Sequence, residues 1–163
     1  MHGLLQGWDI ISFADTASTL VFSLMARPEI TKPHDLRGKR LGVSRLGTAT
    51  HAALLAAIEH LRVPASEVTI LQMGGVPQIL AGIDKGTIAA GVLSPPINIQ
   101  AKKMGMKELL DVSTLKIPYQ QTTFVARHEW IKRNPEAMRA LVRSIVEGIH
   151  KLKISGLPLY TFL

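Results

Sequence analysis

The sequence predicts an α/β fold, and three observations lead to it. Between Arg40 and Met104, short apolar runs alternate with stretches of helical period, the pattern of strands that are each followed by a helix. The connections are short and rich in Gly and Pro, the residues that punctuate elements. The apolar mass is Ala, Leu, Ile and Val, with aromatics only 5% of 163 residues. That is the usual filling where helices pack on a parallel sheet.

The series opens at Asp35-Leu36-Arg37-Gly38-Lys39, a polar turn that feeds a strand over Arg40-Leu41-Gly42-Val43-Ser44. Gly47-Thr48 starts a helix running to about Arg62, with Leu54, Ile58 and Leu61 on one stripe. After a break from Pro64 to Glu67, Val68–Gln72 reads as the second strand. Gly74-Gly75-Val76-Pro77 leads into the next helix, since Pro suits the first helical turn. Its apolar stripe is Ile79, Leu80 and Ile83, and Gly86 stops it. A third strand, Ile88–Leu93, enters Ser94-Pro95-Pro96, and Ile97–Met104 makes a short helix. The order β-α-β-α-β-α implies right-handed crossovers and a parallel sheet covered on both faces.

The flanks differ. Asp9–Phe13 and Leu20–Ala26 read as two strands before the series, and Gln121–Ala126 as an alternating strand after it. Asn134-Pro135-Glu136 begins a strong helix, with Asn as N-cap, Pro at the first position and an acid in the first turn. Met138, Leu141, Val142, Ile145, Ile149 and Leu152 share one face of it. So few flanking elements cannot build a domain alone. They are expected to form part of a second lobe that nothing else in the chain covers. Residues 154–163 carry no charge and no period, and are expected to be a loose tail.

Composition removes whole classes of function. With 47% hydrophobic and 19% charged residues, a packed core is expected. The absence of Cys excludes disulfides, thiolate nucleophiles, iron–sulfur clusters and Cys-based zinc sites. The formal charge is +7, but it is scattered in pairs such as Lys39-Arg40, Lys102-Lys103 and Lys132-Arg133. A nucleic-acid footprint concentrates charge on one face, so no nucleic-acid partner is expected. No stretch reaches the roughly 20 uninterrupted apolar residues of a membrane helix. Met1–Trp8 carries no Lys or Arg, and Asp9 interrupts its apolar run, so no signal peptide is expected there.

In a parallel α/β sheet every strand-to-helix loop lies at the carboxyl edge, where ligands bind. Three loops should therefore converge: Ser44–Thr50, Met73–Pro77 and Ser94–Ile97. Gly47 admits close backbone approach, Thr48 and Thr50 supply hydroxyls, and the helix N-terminus offers unpaired N–H groups to an anionic or polar group. Thr48 equally suits a helix cap alone. Gly74 and Gly75 suit a tight turn as well as a ligand, and Ser94 could be rigidly presented or purely structural. His51 reads first as a surface or capping residue.

Catalytic signatures fail. His128-Glu129-Trp130-Ile131-Lys132 starts like a zinc-protease helix, yet Lys132 stands where a second His is required. No nucleophile elbow, Walker loop or dinucleotide fingerprint occurs, and the twelve carboxylates are dispersed. The sequence predicts no enzyme, no metal and no cofactor.

Asp35-Leu36-Arg37-Gly38-Lys39-Arg40-Leu41-Gly42-Val43 followed by Gly47-Thr48-Ala49-Thr50 resembles the entry to the second lobe of type II periplasmic solute-binding proteins of ABC importers. The resemblance is to the nitrate, sulfonate, taurine and thiamine-precursor branch. Val68–Gln78, Gly86–Pro96 and Arg127–Arg139 continue it over roughly Gly7–Lys153. It implies two α/β lobes that close on a solute by hinge motion: one complete lobe with a parallel-type sheet over residues 31–117, and an incomplete one from 1–30 and 118–153. It further implies that Gly47, Thr48, Thr50, Gly75, Ser94 and Tyr119 face the cleft from one side and Asp15 and Thr16 from the other. The implied protein is a monomer outside the cytoplasm that docks on a membrane permease. Family members carry an export signal and a first βαβ series, and the chain is similar to a fragment of one. Two alternatives share the fold: the sensing module of a transcription regulator, and a thiamine-pyrimidine synthase, whose Cys-rich motif is missing here.

Overall fold

The computed structural model describes residues 9–155, apart from the side chains of Thr16 and Ser155. Two compact units emerge. The central unit is Thr19–Tyr119, and the flanking unit joins residues up to Ser18 with those from Gln120 onward.

The central unit contains a five-stranded sheet in the order β4-β3-β5-β2-β6. Its strands are β2 Ser23–Ala26, β3 Arg40–Val43, β4 Thr69–Gln72, β5 Ala90–Leu93 and β6 Lys107–Asp111. Helices α1 Ala49–His60, α2 Val76–Asp84 and α3 Ile97–Lys103 connect the strands. β3 runs parallel to both β4 and β5, as the βα alternation requires. β2 departs from expectation: it lies between β5 and β6 and is antiparallel to each. The sheet is therefore mixed, and a strand that the sequence groups with the flanks sits near its middle. The reason is burial, because all four β2 residues are fully buried, whereas the flanking unit has nothing to bury them.

Side-chain alternation divides the core into two layers. Leu24 and Ala26 of β2, Leu41 and Val43 of β3, and Ala90 and Val92 of β5 pack toward Ala53, Leu54, Ala57 and Ile58 of α1. Met25 and Leu93 face the other way, toward Ile79, Leu80 and Ile83 of α2 and Ala101 of α3. On that second face β3 and β5 present Gly42 and Gly91. A Cβ at Gly91 would collide with Ile79 Cγ2 and lie 3.0 Å from the carbonyl oxygen of Gly42. These glycines let α2 sit close to the sheet.

α1 ends in a Schellman motif: Val63 N–H donates to Ile58 O at 2.8 Å, and Arg62 N–H to Glu59 O at 3.0 Å. Arg62 holds the left-handed position with φ 56°, where glycine is usual. β6, which the sequence reading passed over, forms by pairing with β2. Its own pattern is weak, with Lys107, Glu108 and Asp111 exposed.

The flanking unit holds most of β1 Ile10–Thr19 and β7 Pro118–Arg127, which pair in a two-stranded ribbon. It also holds α4 His128–Arg133 and α5 Pro135–Ser155. None of its described side chains is fully buried, while every core residue lies between Leu20 and Val112. The apolar stripe of α5 is correspondingly open, with Leu141, Val142, Val146 and Ile149 exposed. Asn134 stands at the expected N-cap position, its carbonyl accepting the Met138 N–H at 3.0 Å, while its Nδ2 donates to Trp130 O at 2.9 Å and closes α4. Ile154 and Ser155 continue α5; the rest of the expected tail, 156–163, lies outside the described residues.

Two substitutions test this packing in opposite directions. Gly91→Ala should destabilise the central unit by about 1–3 kcal/mol through overpacking, read as a lower midpoint in urea followed by circular dichroism. Arg62→Gly should stabilise the unit by about 0.5–1 kcal/mol through relief of left-handed strain, read as a higher midpoint.

Candidate functional site

The carboxyl edge of the central sheet collects more chain ends than an all-parallel sheet would. β3, β4 and β5 end there, and Ser23 at the start of β2 pairs with Leu93 and with Asp111. Both connections out of the unit thus leave from this edge. They run side by side, with Val112 N–H donating to Phe22 O at 2.9 Å and Leu20 N–H to Ile117 O at 3.4 Å.

The β3–α1 loop is built around three hydroxyls. Ser44 Oγ lies 2.7 Å from Thr50 Oγ1 and 3.2 Å from Thr48 Oγ1, and the two threonine oxygens are 3.0 Å apart. The Ser44 N–H donates to Thr50 Oγ1 at 2.9 Å, and the Thr48 hydroxyl donates to Arg45 O at 2.8 Å. With the Thr48 proton spent on that carbonyl, only two hydroxyl protons remain for three oxygen–oxygen contacts. One of the contacts can therefore open toward a ligand without loss.

Thr48 occupies the N-cap position of α1 but makes no side-chain cap, so its purely capping role does not hold. The N-cap residues of α2 and α3, Gly75 and Pro96, likewise make none. The first N–H groups of a helix carry partial positive charge and need acceptors. α1 and α2 begin at this edge without a side-chain cap, whereas in α3 the Asn98 and Ile99 N–H groups already donate to Ser94 O and Pro96 O. The loop sequences 44–51, 73–78 and 94–97 contain no Asp or Glu, and Arg45 is their one permanent charge. The edge is therefore electropositive and rich in donors.

His51, in the first turn of α1, ties down the loop ahead of the helix. Its Nδ1 accepts the Gly47 N–H at 3.1 Å, an arrangement that leaves Nε2 as the ring's donor. Gly47 holds φ 79°, a conformation other residues rarely adopt. The first and second loops touch, since Gly74 N–H donates to Ser44 O at 2.9 Å and Leu46 N–H to Gln72 Oε1 at 3.0 Å. Gly74 makes the turn, with φ 94°. Gly75 is extended, and a Cβ there would lie 2.6 Å from Gln78 Oε1.

The third loop carries a cis bond between Pro95 and Pro96. Ser94 is half-buried, and its carbonyl accepts the Asn98 N–H at 3.2 Å. Asn98 and Ser23 are both buried and joined by an Nδ2–Oγ hydrogen bond of 3.1 Å. Asn98 Oδ1 is buried without a partner. Sequence reasoning missed this pair, although one hydroxyl inside the apolar run Leu20-Val21-Phe22-Ser23-Leu24-Met25-Ala26 was a signal for it. It also missed Ser44, the centre of the hydroxyl cluster.

Of the remaining predicted residues, Tyr119 is half-buried and packs against the core layer that faces α1. Asp15 lies in β1 of the flanking unit and accepts the Ala17 N–H at 3.0 Å. Thr16 is also in β1, and its side chain lies outside the described residues. Gly47, Thr48 and Thr50 are thus one cluster, with Gly75 and Ser94 on neighbouring loops of the same edge.

Comparison with known proteins adds to this geometry. Residues 2–153 match the family described as NMT1/THI5 like. The taurine-binding periplasmic protein of Escherichia coli (strain K12) is 31% identical over 129 residues, covering 77% of this chain and 39% of that protein. Among solved structures, the alkanesulfonate-binding protein SsuA from Xanthomonas axonopodis pv. citri bound to MOPS superposes with a TM-score of 0.68 at 17% identity. That match covers 94% of this chain and 57% of the other. The desulfurization enzyme DSZB superposes with a TM-score of 0.59 at 16% identity, covering 83% and 52%. The chain spans under two fifths of that curated relative. The structural likenesses show that the chain shares the α/β fold of these proteins.

Two outcomes follow from the loop chemistry. Thr50→Val should cost about 1–3 kcal/mol, because the buried Thr50 hydroxyl no longer accepts the Ser44 N–H, whereas half-buried Thr48→Val should cost less; urea denaturation compares them. Nitrogen-15 shifts of the His51 ring should report Nδ1 as the acceptor of the Gly47 N–H, and His51→Ala should remove that signature from the Gly47 amide.

Proposed function

The chain belongs to the NMT1/THI5-like family, and from that we propose that it contributes solute-binding residues to the binding component of an ABC importer. The solute is a small anion or a molecule with an anionic head such as a sulfonate. The observation that carries this reading is the carboxyl edge itself: the N-termini of α1 and α2 without side-chain caps, a hydroxyl cluster on the first loop, and no carboxylate in the three loops. Oriented amides and hydroxyls bind an anion without a full opposing charge, and they release it more readily than a buried arginine pair would. Release matters to a protein that must pass its cargo on.

In this reading Ser44, Thr48 and Thr50 present oxygens to the anionic head, with Gly47 and Gly75 allowing close backbone approach. Ser94 stands on the neighbouring loop, and Tyr119 lies at the start of the exit strand. The partner is a membrane permease, the protein acts as a monomer outside the cytoplasm, and no catalytic step is assigned. The family matches support a binding component: the curated relative is a periplasmic binding protein. The fold alone does not decide between binding and catalysis.

Calorimetry on the whole protein that contains this chain, titrated with taurine, an alkanesulfonate, nitrate and sulfate, tests the reading. At least one anion should bind saturably, and Thr48→Val should weaken it by about tenfold or more, the worth of one charge-assisted hydrogen bond. Binding of none of them by a folded protein, or conversion of a bound anion to product, would overturn it.

A further inference from the structure

The opposite, amino edge of the central sheet holds a second electropositive site. Three chain ends meet there: Arg27 follows β2, Arg40 begins β3, and Ala89 precedes β5. Backbone bonds from Arg27 N–H to Ala89 O at 3.0 Å and from Ala89 N–H to Arg40 O at 2.8 Å tie them together. Between them lies a cavity of about 260 Å³ lined by Arg27, Glu29, Lys39, Arg40, Gly86 and Thr87, among others.

Its charge is unbalanced by construction. Glu29 is the one carboxylate among the lining residues, and it pairs with Arg27 through Nε; Glu67 pairs with Arg37 at 3.1 Å. Hydrogen bonding to its own backbone amide, then Arg27 and Lys39, hold the Glu29 carboxyl below its ordinary range, so the pair stays ionised. Among the described residues neither Lys39 nor Arg40 has a carboxylate within ion-pair distance, and nothing accepts from Nη1 or Nη2 of Arg27. The Arg27 guanidinium lies over Gly86, at φ 73°, so closely that a Cβ at that position would collide with Nη1. The Thr87 hydroxyl has no partner among the described residues and adds an uncharged donor. Three cations share the single carboxylate of Glu29, and a guanidinium with two free terminal nitrogens, flanked by a lysine, a second arginine and a hydroxyl, is the donor set that a tetrahedral oxyanion satisfies.

We propose that this amino-edge cavity binds a compact tetrahedral oxyanion, phosphate or sulfate, at the end of the sheet opposite the hydroxyl cluster. The site is independent of the solute reading, because it shares no residue with the carboxyl-edge loops.

The test is a nitrogen-15 NMR titration of the whole chain with phosphate and separately with sulfate, holding ionic strength constant with chloride. Saturable shifts at the amides of Gly38, Gly86 and Thr87 are expected with at least one oxyanion, and the two arms tell which is preferred. Lys39→Gln combined with Arg40→Gln, both exposed and outside the core, should weaken that binding by about tenfold or more, while Thr48→Val leaves it unchanged. Shifts that chloride reproduces, shifts confined to Gly47–His51, or an unchanged affinity in the double variant would each overturn the proposal. The second result would at the same time support the carboxyl-edge reading.

Discussion

Everything in the central unit depends on the insertion of β2 between β5 and β6. A four-residue strand with all four side chains buried supplies both core layers, Leu24 and Ala26 to one and Met25 to the other. Because β2 runs against its neighbours, its start is at the carboxyl edge and its end at the amino edge. One antiparallel strand thus brings Ser23 to the ligand-type loops and Arg27 to the basic cavity. It also fixes where the chain leaves the unit. Had β2 run parallel, the two connections would depart from opposite ends of the sheet.

The two electropositive edges reach that character by different means. At the carboxyl edge the charge is partial and belongs to helix N-termini and hydroxyls, and the loops carry a single arginine. At the amino edge the charge is formal and sits on Arg27, Lys39 and Arg40, with only Glu29 among the lining residues to oppose it. Partial charges select by shape and distance, since each donor must meet an oxygen. Formal charges act over longer range and are screened by salt. The two edges therefore differ in how sharply ionic strength acts on whatever they bind.

Much of this was legible in the sequence, for reasons that differ by element. The βα series announced itself because a strand buried on both faces reads as a continuous apolar run, and because Gly and Pro mark its loops. The cluster of Gly47, Thr48 and Thr50 followed from the rule that loops after parallel strands share an edge. The placement of β2 was not legible, because Leu20–Ala26 is as apolar as any central strand and nothing local states which sheet it joins. β6 escaped because its charged residues lie on exposed positions, and its pairing comes from β2. Ser44 was read as the end of a strand rather than as a ligand-type group, and the Ser23–Asn98 bond spans 75 residues, beyond any local pattern. Asn134 carried more than its local pattern stated: it stands where the cap was expected, and its Nδ2 also closes α4.

The uneven burial has a consequence for how the molecule opens. All the fully buried side chains fall between Leu20 and Val112, so the amides of β2, β3 and β5 are released to solvent only when that whole core comes apart. The amides of β1, β7 and α5 are protected by hydrogen bonds over half-exposed side chains, and smaller openings free them. Hydrogen exchange would therefore resolve two populations of amides rather than one. A single unfolding free energy would describe the central unit and not the chain.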